Sequence, residues 1–202
     1  MSSDASVESP TESAWSLRAD WTEPVRRHPV PVLLAGVAVL ALLVWRIGLR
    51  ADLVAFAYLA CVGTVLGTVD ISLRRLPDPL TLPSYPVGAA LLGAAAPFTA
   101  DGGDRFVDAL IGFGVLWGLF ALQWVVLPRA LGLGDVKLSG VLGLYLGWLG
   151  SDAWTLGVLA MFVLGGLYSV ALIVLRRAAR GATIPFGPFM LLGTLAGVLA
   201  HA

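Results

Sequence analysis

The sequence predicts an all-α protein, a polytopic membrane bundle of about seven transmembrane helices. Apolar residues make up 58% of the 202 positions and charged residues 13%, and the mean hydropathy of +0.87 lies far above that of a soluble domain. The charges fall between long apolar runs instead of alternating with apolar residues as on amphipathic surface helices, so the runs read as spans.

The first segment, residues 1–24, is rich in Ser, Thr, Asp and Glu. It carries too little apolar surface to fold alone and is expected to be a disordered cytoplasmic tail. Its acidic start lacks a basic n-region, and the apolar run that follows is long with no clear small-residue cleavage site, which argues against a signal peptide. Residues 25–50 read as an additional N-terminal transmembrane helix, and 51–202 as a six-helix core. Apolar runs place helices near 30–49, 52–69, 84–100, 106–127, 136–150, 153–175 and 185–201. The fifth run is short and contains Gly140, Gly143 and Gly147, which suits a close-packed or partly interfacial helix. The pairs Gly63 with Gly67 and Gly143 with Gly147 have the spacing that lets helix backbones approach, while Trp124, Trp148 and Trp154 lie near span ends as interfacial anchors.

With the N-terminus inside, Arg18, Arg26, Arg27, Arg74, Arg75, Arg129, Lys137, Arg176, Arg177 and Arg180 face the cytoplasm and Arg46, Arg50 and Arg105 the outside. Ten basic residues against three satisfy the positive-inside rule for a multi-pass cell-membrane protein. Most of the acidic residues, Asp52 among them, fall in the tail or short outer loops.

A formal net charge of zero offers no basic stripe for phosphates, so nucleic acid is not expected as a partner. Cys61 is the single cysteine, which rules out an intramolecular disulfide and argues against a cysteine-based zinc site; it reads as a small packed residue. No metal and no cofactor are expected.

Two carboxylates stand apart from the rest. Asp70 closes the second run, before Arg74, Arg75, Leu76, Pro77, Asp78 and Pro79; Asp135 opens the fifth, in Gly132-Leu133-Gly134-Asp135-Val136-Lys137. A charge at the centre of a membrane helix costs roughly 2.5 to 3.5 kcal/mol, and less near the interface, so acids placed there suggest a use. The topology puts both on one membrane side although they stand 65 positions apart. Two carboxyl groups in one wet pocket cannot easily both ionise, so one serves as base toward a water while the other, protonated, polarises a peptide carbonyl. The bland alternatives are a helix-end Asp70 paired with Arg74 at i+4, and an Asp135 that caps the fifth helix at its positive end.

These segments resemble the prepilin peptidase family, the A24-type aspartyl peptidases that include archaeal preflagellin peptidases. Three blocks carry the resemblance: Asp70 to Thr81, similar to the family's Asp followed by an Ile/Leu-Pro-Asn/Asp-x-Leu-Thr turn; Gly132 to Leu138, which fits G-x-G-D followed by Lys; and Ile184-Pro185-Phe186-Gly187-Pro188-Phe189, similar to the opening of the family's last helix. The likeness covers about residues 52–201. It implies a GxGD-type aspartic endopeptidase over 51–202, with Asp70 and Asp135 catalytic. Gly132 and Gly134 would let the backbone turn tightly, and Lys137 would orient a carboxylate or substrate group. Pro185, Phe186, Gly187 and Pro188 would support the cytoplasmic mouth.

The implied substrates are prepilin or pseudopilin precursors with a short basic leader and a membrane-resident helix, cut at the cytoplasmic face of a bacterial or archaeal membrane. Oligomeric state is left open. Longer family members carry an insert with paired Cys-x-x-Cys motifs associated with zinc and N-methylation; the lone Cys61 makes this chain similar to the peptidase-only members. Two further classes compete with the peptidase: a proton- or ion-coupled transporter, since intramembrane acids also mark ion pathways, and a non-catalytic scaffold of a pilus or secretion complex.

Overall fold

A computed structural model describes residues 20–128, 131–175 and 185–202. The greater part of the tail expected over 1–24, together with Arg129, Arg176, Arg177, Arg180 and Ile184, lies outside them. The described residues contain helices and no strand.

After a 3-10 turn (Asp20–Thr22) and a short α1 (Glu23–Arg27), the chain enters α2 (Pro29–Ile47) through two prolines in its first turn, where the missing N–H groups would have no intrahelical acceptor. Gly48, at φ 71°, ends α2 in a conformation that suits glycine. Next come α3 (Leu53–Leu73), the single turn α4 (Asp78–Thr81), α5 (Ser84–Ala95), α6 (Gly102–Val126), α7 (Leu133–Trp148), α8 (Ser151–Val174) and α9 (Gly187–His201).

Each of the seven expected runs is helical, as α2, α3 and α5 to α9. Four of these, α2, α3, α6 and α8, are long and apolar enough to cross a membrane. The protein is therefore a multi-pass membrane helix bundle. At 1.5 Å per residue, α5, α7 and α9 are roughly 18 to 24 Å long, short of the roughly 30 Å hydrocarbon core. A count of seven full spans does not follow from their lengths.

The inner helix of the bundle is the short α7. From Leu138 to Trp148 every residue of α7 is buried, so it forms the centre of the bundle with the long helices around it. In lipid, apolar side chains gain little by leaving the bilayer for the protein, and close backbone packing must hold helices together instead. Glycines supply it. A Cβ on Gly143 would come within 2.5 Å of the Gly112 carbonyl oxygen of α6, and one on Gly147 would strike the Asp108 carbonyl. Helices α8 and α9 close in the same way, since a Cβ on Gly193 would stand 2.7 Å from the Gly157 oxygen. On α3, Gly63 and Gly67 accept the Leu191 side chain of α9, with hypothetical Cβ distances of 3.0 and 3.2 Å.

Three sequence expectations are corrected. Trp148 is fully buried, where an interfacial anchor was expected. Its Nε1 donates to Asp52 Oδ2 at 3.2 Å, and Arg50 completes the pairing at 2.9 Å. Asp52, read as an ordinary loop acid, is thus wholly buried and ties the start of α3 to the end of α7. Cys61 is exposed on α3 instead of packed, because its position on that helix faces away from the neighbouring helices.

The glycine seam yields a test. Gly147→Val should lower the detergent-solubilised thermal midpoint strongly, as overpacking costs about 1 to 3 kcal/mol even where neighbours yield, and here the neighbour is backbone. Gly114→Val, on the face of α6 where nothing lies within 4 Å, should leave the midpoint within a degree or two. Equal shifts would show that the seam does not hold α6 to α7.

Candidate active site

Asp70 occupies the last turn of α3 and is only 4% exposed. The helix stops there because Arg74 turns left-handed (φ 52°), its backbone N–H closing on the Asp70 carbonyl at 2.8 Å, and Pro77 follows soon after. The Asp70 carboxylate accepts the Gly187 N–H at 3.0 Å through Oδ2. Gly187 opens α9, so the carboxylate faces the positive end of that helix, where the first N–H groups have no intrahelical acceptor. A Cβ at Gly187 would sit 2.6 Å from Asp70 Oδ2, so only glycine admits this approach. The Pro185-to-Phe189 block therefore acts through a specific contact as well as through helix initiation.

Arg74 does not take the part of an ion-pair partner. Its side chain is exposed, and no ion pair joins it to Asp70 among the described residues.

Asp135 stands third in α7, where its Oδ2 accepts the Gly132 N–H at 3.3 Å. It satisfies a free N–H of the helix start from inside the helix, with Gly132 at the N-cap position that the capping alternative gave to Asp135. Neither Gly132 nor Gly134 has a positive φ, so tight turning is not what they provide. Gly134 instead permits close approach, since a Cβ there would lie 3.1 Å from Leu76 Cβ.

That approach brings the two motifs together. Leu66 and Leu76 flank Asp70, Val136 follows Asp135, and Phe186 and Met190 flank Gly187; all pack in one apolar cluster. The carboxyl groups of Asp70 and Asp135 lie within Coulombic reach of each other.

Lys137 points elsewhere. Its Nζ donates to Asp78 Oδ1 at 2.7 Å, in an ion pair whose acid is mostly buried and whose base is one-third exposed. Tyr85 of α5 donates its hydroxyl to the Lys137 carbonyl. The lysine thus braces the first turns of α7 against α4 and α5, and the carboxylate it meets is that of Asp78. Sequence reasoning had not singled out Asp78; its place eight positions beyond Asp70, between Pro77 and Pro79, was the available signal.

Phe186 stacks among Phe120, Phe162 and Phe189 with ring centroids 5.9 to 6.4 Å apart, which holds the entry to α9 in place. Pro188 lies on the side of α9 turned toward α2 and α3. Among the described residues, no group of three or more His, Cys, Asp or Glu gathers as a metal site would require.

The profile of the type IV leader peptidase family matches residues 57–170, which include both aspartates. The chain belongs to this family. Similar curated proteins are the prepilin leader peptidase/N-methyltransferase of Aeromonas salmonicida strain A449, 35% identical over 60% of this chain and 40% of that protein, and that of Pseudomonas putida, 30% identical over 84% and 58%. The protein of the same name from Escherichia coli K12 is 34% identical over 67% of this chain and 58% of its own. The chain thus matches about half the length of these relatives. No solved structure matches it.

The brace invites a double-mutant cycle. Lys137→Met should leave the Asp78 carboxylate buried without its partner and lower stability by about 1 to 2 kcal/mol, the partial exposure of the lysine reducing the loss expected of a buried pair. Adding Asp78→Asn should restore most of that in a thermal melt. Additive losses in the double variant would dismiss the brace.

Proposed function

We propose that this chain is a membrane-embedded aspartic endopeptidase that cuts the short leader from type IV pilin-like precursors at the cytoplasmic membrane face, with Asp70 and Asp135 as the catalytic pair. The observation that supports the proposal is that two acids, 65 positions apart, lie at one end of the bundle within Coulombic reach of each other, inside the family-matched segment. The relatives' names supply the substrate class, a prepilin leader.

In this reading the pair shares a proton. The ionised member takes a proton from a water as that water attacks the scissile carbonyl; the protonated member polarises the carbonyl oxygen and then helps protonate the leaving amine. The Gly187 amide holds the Asp70 carboxylate in a fixed orientation, and the Gly132 amide does the same for Asp135. The peptide must be extended where it is cut, because a helical segment keeps its carbonyls in i to i+4 hydrogen bonds.

The active site faces the cytoplasm by the distribution of basic residues. Arg74 and Arg75 lie at the aspartate end of α3, while Arg46 and Arg50 lie at the far end. Prepilin or pseudopilin precursors are the partners, and the domain division is an added helix over 25–50 followed by the peptidase core over 51–202. Methyl transfer, which forms part of the relatives' names, is not extended to this chain, whose single cysteine offers no Cys-x-x-Cys pair. Membership of the family leaves the transporter and scaffold alternatives without support.

Asp70→Asn and Asp135→Asn should each cut the rate of leader removal from a co-expressed prepilin by about 10²- to 10⁴-fold or more, the range general acid and base groups supply, with membrane expression unchanged. Immunoblotting of precursor against mature pilin reads the outcome. Cleavage retained by both single variants would end the proposal.

A further inference from the structure

An apolar cleft of about 310 Å³ opens between α2, α3 and α9. Its floor is one side of α3 from Phe56 to Ile71, roughly 22 Å along the helix axis. The shape follows from how side-chain size is distributed along α2. At the far end Leu43 and Ile47 are buried and fill the space beside the bundle. There Arg46 also fastens α2 to α9, donating to the Leu199 and Ala200 carbonyls at 2.7 and 3.1 Å and satisfying acceptors left free at the helix end. Midway along α2 the small residues Ala35 and Gly36 stand beside α3, and a Cβ added to Gly36 would still stand 3.8 Å from Thr64. The cleft therefore narrows beside Leu43 and widens beside Ala35.

The end beside Ile71 borders the candidate active site. Gly67, Thr68 and Ile71 line the cleft one turn or less from Asp70, and Pro188, which also lines it, directly follows the glycine whose amide holds that carboxylate. The far wall, Leu192 of α9, is half exposed. An occupant that satisfies this geometry is apolar along its length and turns polar and extended at the carboxylates.

We propose that the cleft between α2, α3 and α9 is the docking groove for the transmembrane helix of the substrate, with the N-terminal helix α2 as its outer wall. The inference rests on the endopeptidase reading and names the surface that reading requires. The substrate helix lies along α3 and inserts the side chains of one face beside Ala35. Its N-terminal end unwinds past Ile71 and presents the scissile peptide to Asp70 and Asp135. The cleft volume holds a few aliphatic side chains and not a whole helix, so the helix packs over the groove with its outer face toward lipid.

Cysteine cross-linking in membranes tests this directly. In a Cys61→Ser background, Ala35→Cys on α2 and Leu192→Cys on α9 are each paired with single cysteines stepped along the helix of a prepilin precursor. Val163→Cys and Val170→Cys, exposed on α8, serve as controls. Oxidation should link the groove cysteines to the substrate at least tenfold more than the controls, at positions recurring every three to four residues. Equal linkage to α8, no linkage at the groove, or linkage of the Ala35→Cys chain to a second copy of itself would overturn the groove.

Ala35→Trp adds a kinetic readout. It should slow cleavage of the helix-bearing precursor at least tenfold and leave cleavage of a short soluble leader peptide unchanged. Equal effects on both substrates, or none on either, would also overturn the proposal. Failure of the Cys61→Ser parent to cut any precursor would strike the endopeptidase reading instead, so the two failures are distinguishable.

Discussion

The contact on which the arrangement depends is the amide of Gly187 donating to the carboxylate of Asp70. A buried carboxylate at a helix end needs a donor, and the exposed Arg74 beside it in sequence does not serve. The donor is supplied by the first turn of α9, which can approach because residue 187 has no side chain. One hydrogen bond thereby joins the last turn of α3 to the start of α9. The packing of α9 against α8 through Gly157 and Gly193 keeps that donor where the acid requires it.

Around this contact, α7 is placed by backbone proximity and by charge. Its glycines accept α6 at carbonyl distance, and its interior position follows from being buried on every side from Leu138 onward. The N-terminal turn, which carries Asp135, is held by the ion pair of Lys137 with Asp78 and by the hydroxyl of Tyr85. Because Asp78 belongs to the turn that follows Asp70, the two acid-bearing segments are braced against each other. That coupling accounts for a lysine beside the G-x-G-D motif without giving it a part in proton transfer.

The long helices have a different task. α2 is only lightly buried, and most of its surface faces outward. Its small residues Ala35 and Gly36 stand beside α3 at mid-helix, while Leu43 and Ile47 are buried nearer its far end. A helix added to the bundle in this way leaves a cleft beside α3, and Arg46 pins it to α9 at the end away from the acids.

Much of the architecture was legible in the chain itself. Long apolar runs can satisfy their backbone groups in lipid only as helices, so the helices and their approximate limits followed from composition. The Asp70 and Asp135 motifs stood out because an acid at the end of an apolar run needs a reason to be there. The remainder depended on which residues meet across long separations. Local pattern cannot show that Lys137 reaches Asp78, that Trp148 turns inward to Asp52, or that Gly187 supplies the donor to Asp70. Nor does length alone settle which helices span, since α5, α7 and α9 are short and α7 is enclosed by its neighbours. The sequence determined that two acids would stand at the ends of membrane helices. Tertiary packing alone decided their partners, because a hydrogen bond or an ion pair is set by distance in space, and helix packing, not sequence separation, fixes that distance.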